Sequence, residues 1–547
     1  MKIIGDCGKG IHAPANSRAS FLSAYVAGAD ALRVSVRLTR DERAVIAEED
    51  EVSRLTGETG KITELSLEQL RRLDFGRAFT DSAGTSFAYP ARIETFGMLL
   101  DVLPEDLHLL VEIRPEPDAQ RATRLVERIG ASLRRRGRAS RSILASGDPE
   151  ILAIARKTAP GIAVVTRSPG QGVREALAAA EAARADGVEI ELEGFLKEGS
   201  PDPEAARIAG RFEDGSFRVG AILAGGASLS PADHAGLKDL PWIWGVTLAS
   251  PLSAASLFRP AWVVLEEPWD AKAAEHQDVN TDLWRLGYAK HNEPPYAHVY
   301  PDRGIHVDLK PFQGEVEHRP GKDPVKEQLH ALLERSWYAL KDWPFYSGGG
   351  VGFAPGVEGD FSAEVDVSSE TARQATTVEM AAVNVDPATH RKPWVQDAKT
   401  KEWRPNPPAS FRDAHTFYDP HGCPPFAGVE HDEDDGWRIN WNLGSEYSDN
   451  QYGRAVGDGK ILSGRMRLDR RGPYFAAYFR PSGSTSERDW ICVGATRNDS
   501  LNRKVYLRMA GKRWRQEDPA EPSRWLPVIP NHFVFRSFRL VRYRSEP

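Results

Sequence analysis

Apolar residues in the first 265 positions come in short runs of strand length. These are KII (2–4), ALRVSVRL (31–38), HLLVEIR (108–114), SILAS (142–146), IAVVTR (162–167), GVEIELE (187–193), VGAILAG (219–225) and WIWGVTLA (242–249). Between most of them the period lengthens to that of amphipathic helices, as in DPEILAIARKTA (148–159) and VREALAAAEAARA (173–185). Asp148 is placed to cap the first of these helices, with Pro149 at its first turn. Eight strand–helix units of this kind predict a (β/α)8 TIM barrel whose strands are buried on both faces. Function in such a barrel sits at the C-terminal ends of the strands. The residues to consider there are Asp6, Arg33, Ser35, Glu112, Arg114, Arg167, Glu191, Glu193 and Thr247.

From about residue 340 the pattern changes to short alternating strands separated by Gly, Pro, Asn and Asp, among them FSAEVDVSS, TTVEMAAVNV, GWRINWNL, YFAAYFRP and HFVFRSFRLVRY. That grammar predicts an all-β sandwich or jelly roll. The chain is therefore expected to divide into a barrel over 1–265, an ordered linker with one helix (DPVKEQLHALLERSWYAL) over 266–340, and a β-sandwich over 341–547. The linker is rich in aromatics and poor in Ser and Gly, unlike a flexible tether.

A length of 547 residues agrees with more than one domain. The net charge of −7 excludes a general nucleic-acid binder, and the basic stretch LRRRGRASR (133–141) reads as solvated helix ends. No apolar stretch is long enough to span a bilayer, and the first residues lack the pattern of a secretory leader, so no membrane partner is expected. The three cysteines, Cys7, Cys423 and Cys492, lie far apart and form neither a disulfide framework nor a C-x-x-C pair. Together these features predict a cytoplasmic, reduced protein with a small-molecule or carbohydrate ligand and no cofactor. The oligomeric state is not legible.

The first half resembles the glycerophosphodiester phosphodiesterase family. The resemblance is carried by GADALRVSVRLTRDERAVIAEEDEVSRLTGETGKITELSLEQLRRLDFG (28–76), then by YPARIETFGMLLDVLP and LLVEIRPEP. In that family an H-R-G turn after the first strand supplies a catalytic His and a phosphate-binding Arg. An E-x-D pair on the second strand and a later Glu hold a divalent metal, and a second His lies in an H-D turn. Here the H-R-G turn is Asp6-Cys7-Gly8, the E-x-D pair is Arg33-Val34-Ser35, and the second His position falls on Glu48. Glu112 alone remains of the metal carboxylates, with Arg114 in place of the family's Lys. One carboxylate beside an arginine does not make a site for a hard cation, so no metal is expected.

Three readings follow from these replacements. The first is a degenerate, metal-independent barrel, a pseudoenzyme in the family's sense, binding a sugar- or phosphate-bearing ligand through Arg33, Ser35, Arg114, Arg167, Glu191 and Glu193. The alternative is a repurposed carbohydrate-cleaving hydrolase in which Asp6, Glu48 and Glu112 supply the acid and base. The third is a scaffold, favoured if Trp244, Arg33 and their neighbours fill the pocket. Cys7 lacks a placed base, and GDCGKG lacks the spacing of a phosphate loop.

The second half resembles the concanavalin-like jelly rolls of the laminin-G and legume-lectin class. VEGDFSAEVDVS, ILSGRMRLDRRGPYFAAYFRPSGSTSERDWICVGA and HFVFRSFRLVR carry that resemblance. It implies a face that can bind carbohydrate, for which Tyr447 and Tyr452 are the exposed candidates, while Trp437 and Trp441 are expected in the core. The acidic run EHDEDD (430–435) lacks an EF-hand spacing, and Glu364 and Asp366 share one strand face.

Overall fold

The computed structural model describes, in the first part of the chain, residues 1–197, 200–201, 219–259 and 261–267, apart from 9, 81–83, 85, 87, 169, 171 and 226–228. In the second part it describes 277–278, 283–286, 297–300, 304–309, 347–369, 376–384, 394–396, 399–400, 403–405, 517–518, 520–525 and 531–543. It also describes 425–513 without 434, 445–450, 454 and 458–461. The chain separates into two units, the first made of Met1–Pro260 with Ser486–Cys492 and the second of Ala261–Thr485 with Val493–Pro547.

In the first unit eight parallel strands close on themselves: β1 (Lys2–Asp6), β2 (Ala31–Leu38), β4 (His108–Ile113), β5 (Ser142–Ser146), β6 (Ala163–Arg167), β7 (Gly187–Glu191), β8 (Gly220–Ala224) and β9 (Ile243–Leu248). Closure comes from β1, where Ile4 is in register with Ala31 of β2 on one side and Thr247 of β9 on the other. A short β3 (Ala44–Ile46) turns back antiparallel on β2. Ile4, Ala31, Leu110, Ile143, Ala145, Ala163, Val165 and Ile222 form one buried cluster inside the barrel. Side chains alternate across a strand, so the residues two positions further on, Asp6, Arg33, Glu112 and Arg167, face the same interior at its C-terminal end.

The helices end where their sequences direct. The Asp118 carboxylate accepts from the Arg121 N–H at 2.8 Å and starts the helix Ala119–Arg135. That helix buries Ala122, Leu125, Val126, Ile129 and Leu133 along one stripe. Asp148 caps Pro149–Thr158 as the sequence predicts, accepting from the Glu150 N–H at 2.9 Å. Between β2 and β4 an insertion has its own small core of Val45, Val52, Ile62, Leu70, Phe75 and Ile93. In its LDFG turn, Asp74 Oδ1 accepts from the Gly76 and Ala91 N–H groups at 3.0 and 2.8 Å.

The second unit holds two antiparallel sheets, the arrangement of an all-β sandwich. One runs through Ala297–Tyr300, Gly304–Leu309, Asn531–Tyr543, Phe361–Ser369, Gly464–Arg471 and Tyr474–Pro481; the other through Ser347–Phe353, Lys504–Arg513, Thr376–Val383, Phe426–Asp432 and Gly436–Asn442. Trp437 of the second sheet stacks on Phe479 of the first at 4.0 Å, so this tryptophan is core, whereas Trp441 on the same face is half-buried. The segment 266–340, expected as a linker, contributes the strands Gln277–Asp278, Trp284–Leu286, Ala297–Tyr300 and Gly304–Leu309 to these sheets. The runs AHVY and GIHVDL are short enough to be passed over in a segment rich in Pro. The expected helix at 323–340 lies outside the described residues.

Candidate functional site

Arg33 sits at the centre of the barrel's charged end. Its guanidinium lies 3.0 Å from Glu112 Oε2, 3.4 Å from Glu189 Oε1 and 3.5 Å from Asp6 Oδ2. Ser35, next in register to Glu112, donates to the same Oε2 at 2.9 Å. The other carboxylate oxygen of Glu112 receives Nη1 of both Arg114 and Arg167. Arg167 Nε also lies 3.4 Å from Glu189 Oε1. Three carboxylates and three guanidiniums thus interlock, with Arg33, Glu112 and Glu189 buried and Asp6, Arg114 and Arg167 half-buried.

The two glutamates of this network behave in opposite ways. Burial disfavours the Glu112 carboxylate, but Arg33, Arg167 and Arg114 outweigh it and hold its pKa down to about 2. At Glu189 burial dominates and raises the pKa, because Arg33 and Arg167 offset the burial only in part and Glu112 and Asp6 add like charge. Burial lowers the Arg33 pKa, yet Glu189, Asp6 and Glu112 together carry it above the ordinary arginine value.

The divalent cation implied by the family resemblance does not fit these residues. Two of its three carboxylate positions are Arg33 and Ser35, and a cation at that place would meet the Arg33 guanidinium. Among the described residues no group of three His, Cys, Asp or Glu side chains could hold a metal ion.

The structure gathers Asp6, Arg33, Ser35, Glu112, Arg114 and Arg167 at one end of the barrel. Glu191 is half-buried at the end of β7 on the same strand face as Glu189. Glu193 is placed elsewhere: β7 stops at Glu191, and Glu193 is exposed in the helical turn Leu192–Phe195. Glu189 was missed in the sequence, although counting back two positions from Glu191 would have found it. Trp244 lies at the other end of β9, edge-on to His108 and beneath the Lys2 ammonium, and so does not fill the charged end.

Glu48 stands apart from the network, beside the turn that follows β1. A Cβ on Gly8 would meet Glu48 Oε2 at 2.9 Å and Asp6 Oδ1 at 3.4 Å, so the turn brings these two carboxylates together. The Cys7 thiol is buried, and burial with the neighbouring Asp6 charge pushes its pKa well up, which removes it as a nucleophile at neutral pH.

In the second unit Tyr452 is exposed and lies over the Arg438 guanidinium at 4.2 Å. Tyr447 lies outside the described residues. The acidic run at 430–435 is held by that same arginine, through Glu430 at 2.8 Å and Asp432 at 2.9 Å. Glu364 and Asp366 do share a face, and Arg465 pairs with both.

The first unit is thus a (β/α)8 barrel with an arginine–carboxylate network at the C-terminal ends of its strands. Residues 8–200 match the Glycerophosphoryl diester phosphodiesterase family. The protein YhdW of Bacillus subtilis is 32% identical over 117 residues, 21% of this chain and 46% of that one. A glycerophosphodiester phosphodiesterase of Caldanaerobacter subterraneus is 30% identical over 115 residues, 20% of this chain and 44% of that one. The chain spans about half the length of the curated relatives it matches. One matching solved structure is the glycerophosphoryl diester phosphodiesterase domain of Rv2277c from Mycobacterium tuberculosis, at 21% identity and a TM-score of 0.35, covering 47% of this chain and 98% of that one. No helix among the described residues is long and apolar enough to cross a membrane.

Proposed function

We propose that the barrel is a degenerate, metal-independent phosphodiesterase-like domain that binds a phosphate-bearing ligand through arginines. The observation that carries this reading is the convergence of Arg114 and Arg167 on one oxygen of Glu112. Both side chains are partly exposed, and Glu112 occupies only one Nη of each. Their remaining edges form a two-armed donor set of the kind that suits a phosphate. Arg33, held among three carboxylates, supplies fixed positive charge at the centre of the site. With no metal and neither of the family's imidazoles, the residues bind and orient an anion and offer no proton-transfer pair of the family's type.

Titration of the full chain with sn-glycerol 3-phosphate in EDTA, followed by calorimetry, tests the proposal. Binding that survives the chelator and weakens about tenfold or more in Arg114→Met and Arg167→Met is the expected result. Binding that needs an added divalent cation, or that ignores both substitutions, overturns it.

The alternative, a carbohydrate-cleaving hydrolase, draws support from the approach of Asp6 and Glu48 to one point beside Gly8. It predicts a bell-shaped pH dependence of glycoside turnover in EDTA, lost in both Asp6→Asn and Glu48→Gln. Glu112 is a poor acid in that scheme, because three arginines keep it ionised.

A further inference from the structure

Glu189 is the least firmly held carboxylate of the arginine network. It meets Arg33 Nη1 and Arg167 Nε with the same oxygen, Oε1, at 3.4 Å each. Its other oxygen, Oε2, is buried with no hydrogen-bond partner, which a buried acceptor tolerates only at a cost. Glu112 is held far more closely, by Arg33 and Ser35 at 3.0 and 2.9 Å on one oxygen and by Arg114 and Arg167 on the other. The Arg167 Nε–H has no hydrogen-bond acceptor, only its long contact with Glu189. Glu112 engages Nη1 of that guanidinium and leaves the Nε–Nη2 edge open. An oxyanion gripping that edge in two-pronged fashion comes to lie against Glu189 Oε1.

Charge balance makes that approach costly for the anion alone. The network pairs three guanidiniums with three carboxylates, and an added anion tips it to net negative. The charged groups around Glu189 are Asp6 from β1, Arg33 from β2, Glu112 from β4 with Arg114 just beyond it, Arg167 from β6, and Glu191 two positions along β7. The other strands turn Ala145 (β5), Ala224 (β8) and Thr247 (β9) to the interior, and none of these titrates. Among the network's carboxylates Asp6 accepts from the Gly8 N–H and Glu112 is tied by three arginines, so Glu189 is the one with an oxygen to spare. Burial already disfavours its charge, and a second negative charge beside it acts in the same direction.

We propose that an oxyanion bound to Arg167 enters together with a proton from solvent, and that this proton settles on Glu189. The arginines grip the anion, while Glu189 sets how tightly it is held at a given pH. This role rests on the phosphate reading above and assigns to Glu189 a part that the arginines do not play.

The test is calorimetry of the full chain with sn-glycerol 3-phosphate in EDTA, in two buffers of different ionisation enthalpy, from about pH 5 to 9, which counts the protons that enter. The ligand's own second ionisation contributes to every variant, so the parent is compared with Glu189→Gln. The parent is expected to take up about half a proton or more beyond that variant at the pH of greatest uptake. Should Glu189→Gln fail to fold, infrared difference spectra of the parent decide, through a protonated carboxyl band that grows on binding. Equal uptake in both proteins, uptake lost in Glu191→Gln instead, or no growth of that band overturns the proposal and leaves the phosphate reading standing. No binding at any pH overturns both.

Discussion

Glu112 and Glu189 are neighbours in one network, yet they are expected to respond differently to the same substitution. Glu112→Gln leaves Arg33, Arg114 and Arg167 without their shared counter-charge, and is expected to cost about 3–5 kcal/mol in urea unfolding at neutral pH. Glu189→Gln replaces a carboxylate whose charge is already disfavoured by burial, and is expected to stay within about 1 kcal/mol. The pH dependence separates them further. The folded Glu112 pKa of about 2 lies below the usual 4.5, so its stabilisation is complete above 4.5 and is lost as pH falls towards 2. Glu112→Gln should flatten that part of the stability curve. The raised Glu189 pKa works in reverse, since the folded protein holds this proton more tightly and gains from acid. Its removal should leave the acid decline of the parent steeper.

At the scale of elements, the insertion depends on a glycine that has no freedom to change. A Cβ on Gly76 would stand 1.6 Å from the Tyr89 carbonyl oxygen, a backbone atom that cannot swing away. Gly76→Ala is therefore expected to destabilise the protein by about 3 kcal/mol or more, seen as a lowered Tm and early proteolysis within 39–107. In the LDFG stretch Asp74 ties the turn, and Gly76 lets two backbones approach. Strand alternation was equally legible, because a period of two fixes which residues share the barrel interior once one apolar layer is known. The expectation that function sits at the C-terminal ends of the strands had placed Asp6, Arg33, Glu112 and Arg167 together, and alternation agrees. It misplaced Glu193 because the sequence does not mark the end of β7 at Glu191. The strands hidden in 266–340 were missed for a related reason, as runs of three to six residues in a Pro-rich stretch are decided by their partners elsewhere in the chain.

For the whole molecule, the feature with the widest reach is the composition of the first unit, which takes Ser486–Cys492 in addition to Met1–Pro260. Within it, the buried His12 ring meets the Trp490 carbonyl through Nδ1 and the Ser250 hydroxyl through Nε2, each at 2.7 Å. The Cys492 N–H donates to the His12 carbonyl at 2.6 Å, and the Tyr89 hydroxyl donates to the Cys492 carbonyl. A fragment ending at residue 260 keeps Ser250 but lacks Trp490 and Cys492, and its circular dichroism melt is expected to fall several degrees below the barrel transition of the full chain. The order of synthesis carries the same consequence into the cell. The ribosome completes the eighth barrel strand at Leu248, roughly 240 residues before it reaches the segment that begins at Ser486. At about 5–20 residues per second the nascent domain must wait on the order of tens of seconds before the Trp490 and Cys492 carbonyls reach His12 and Tyr89. For that interval the barrel's last backbone partners are still to be made, so its yield is expected to fall when translation beyond residue 260 is slowed.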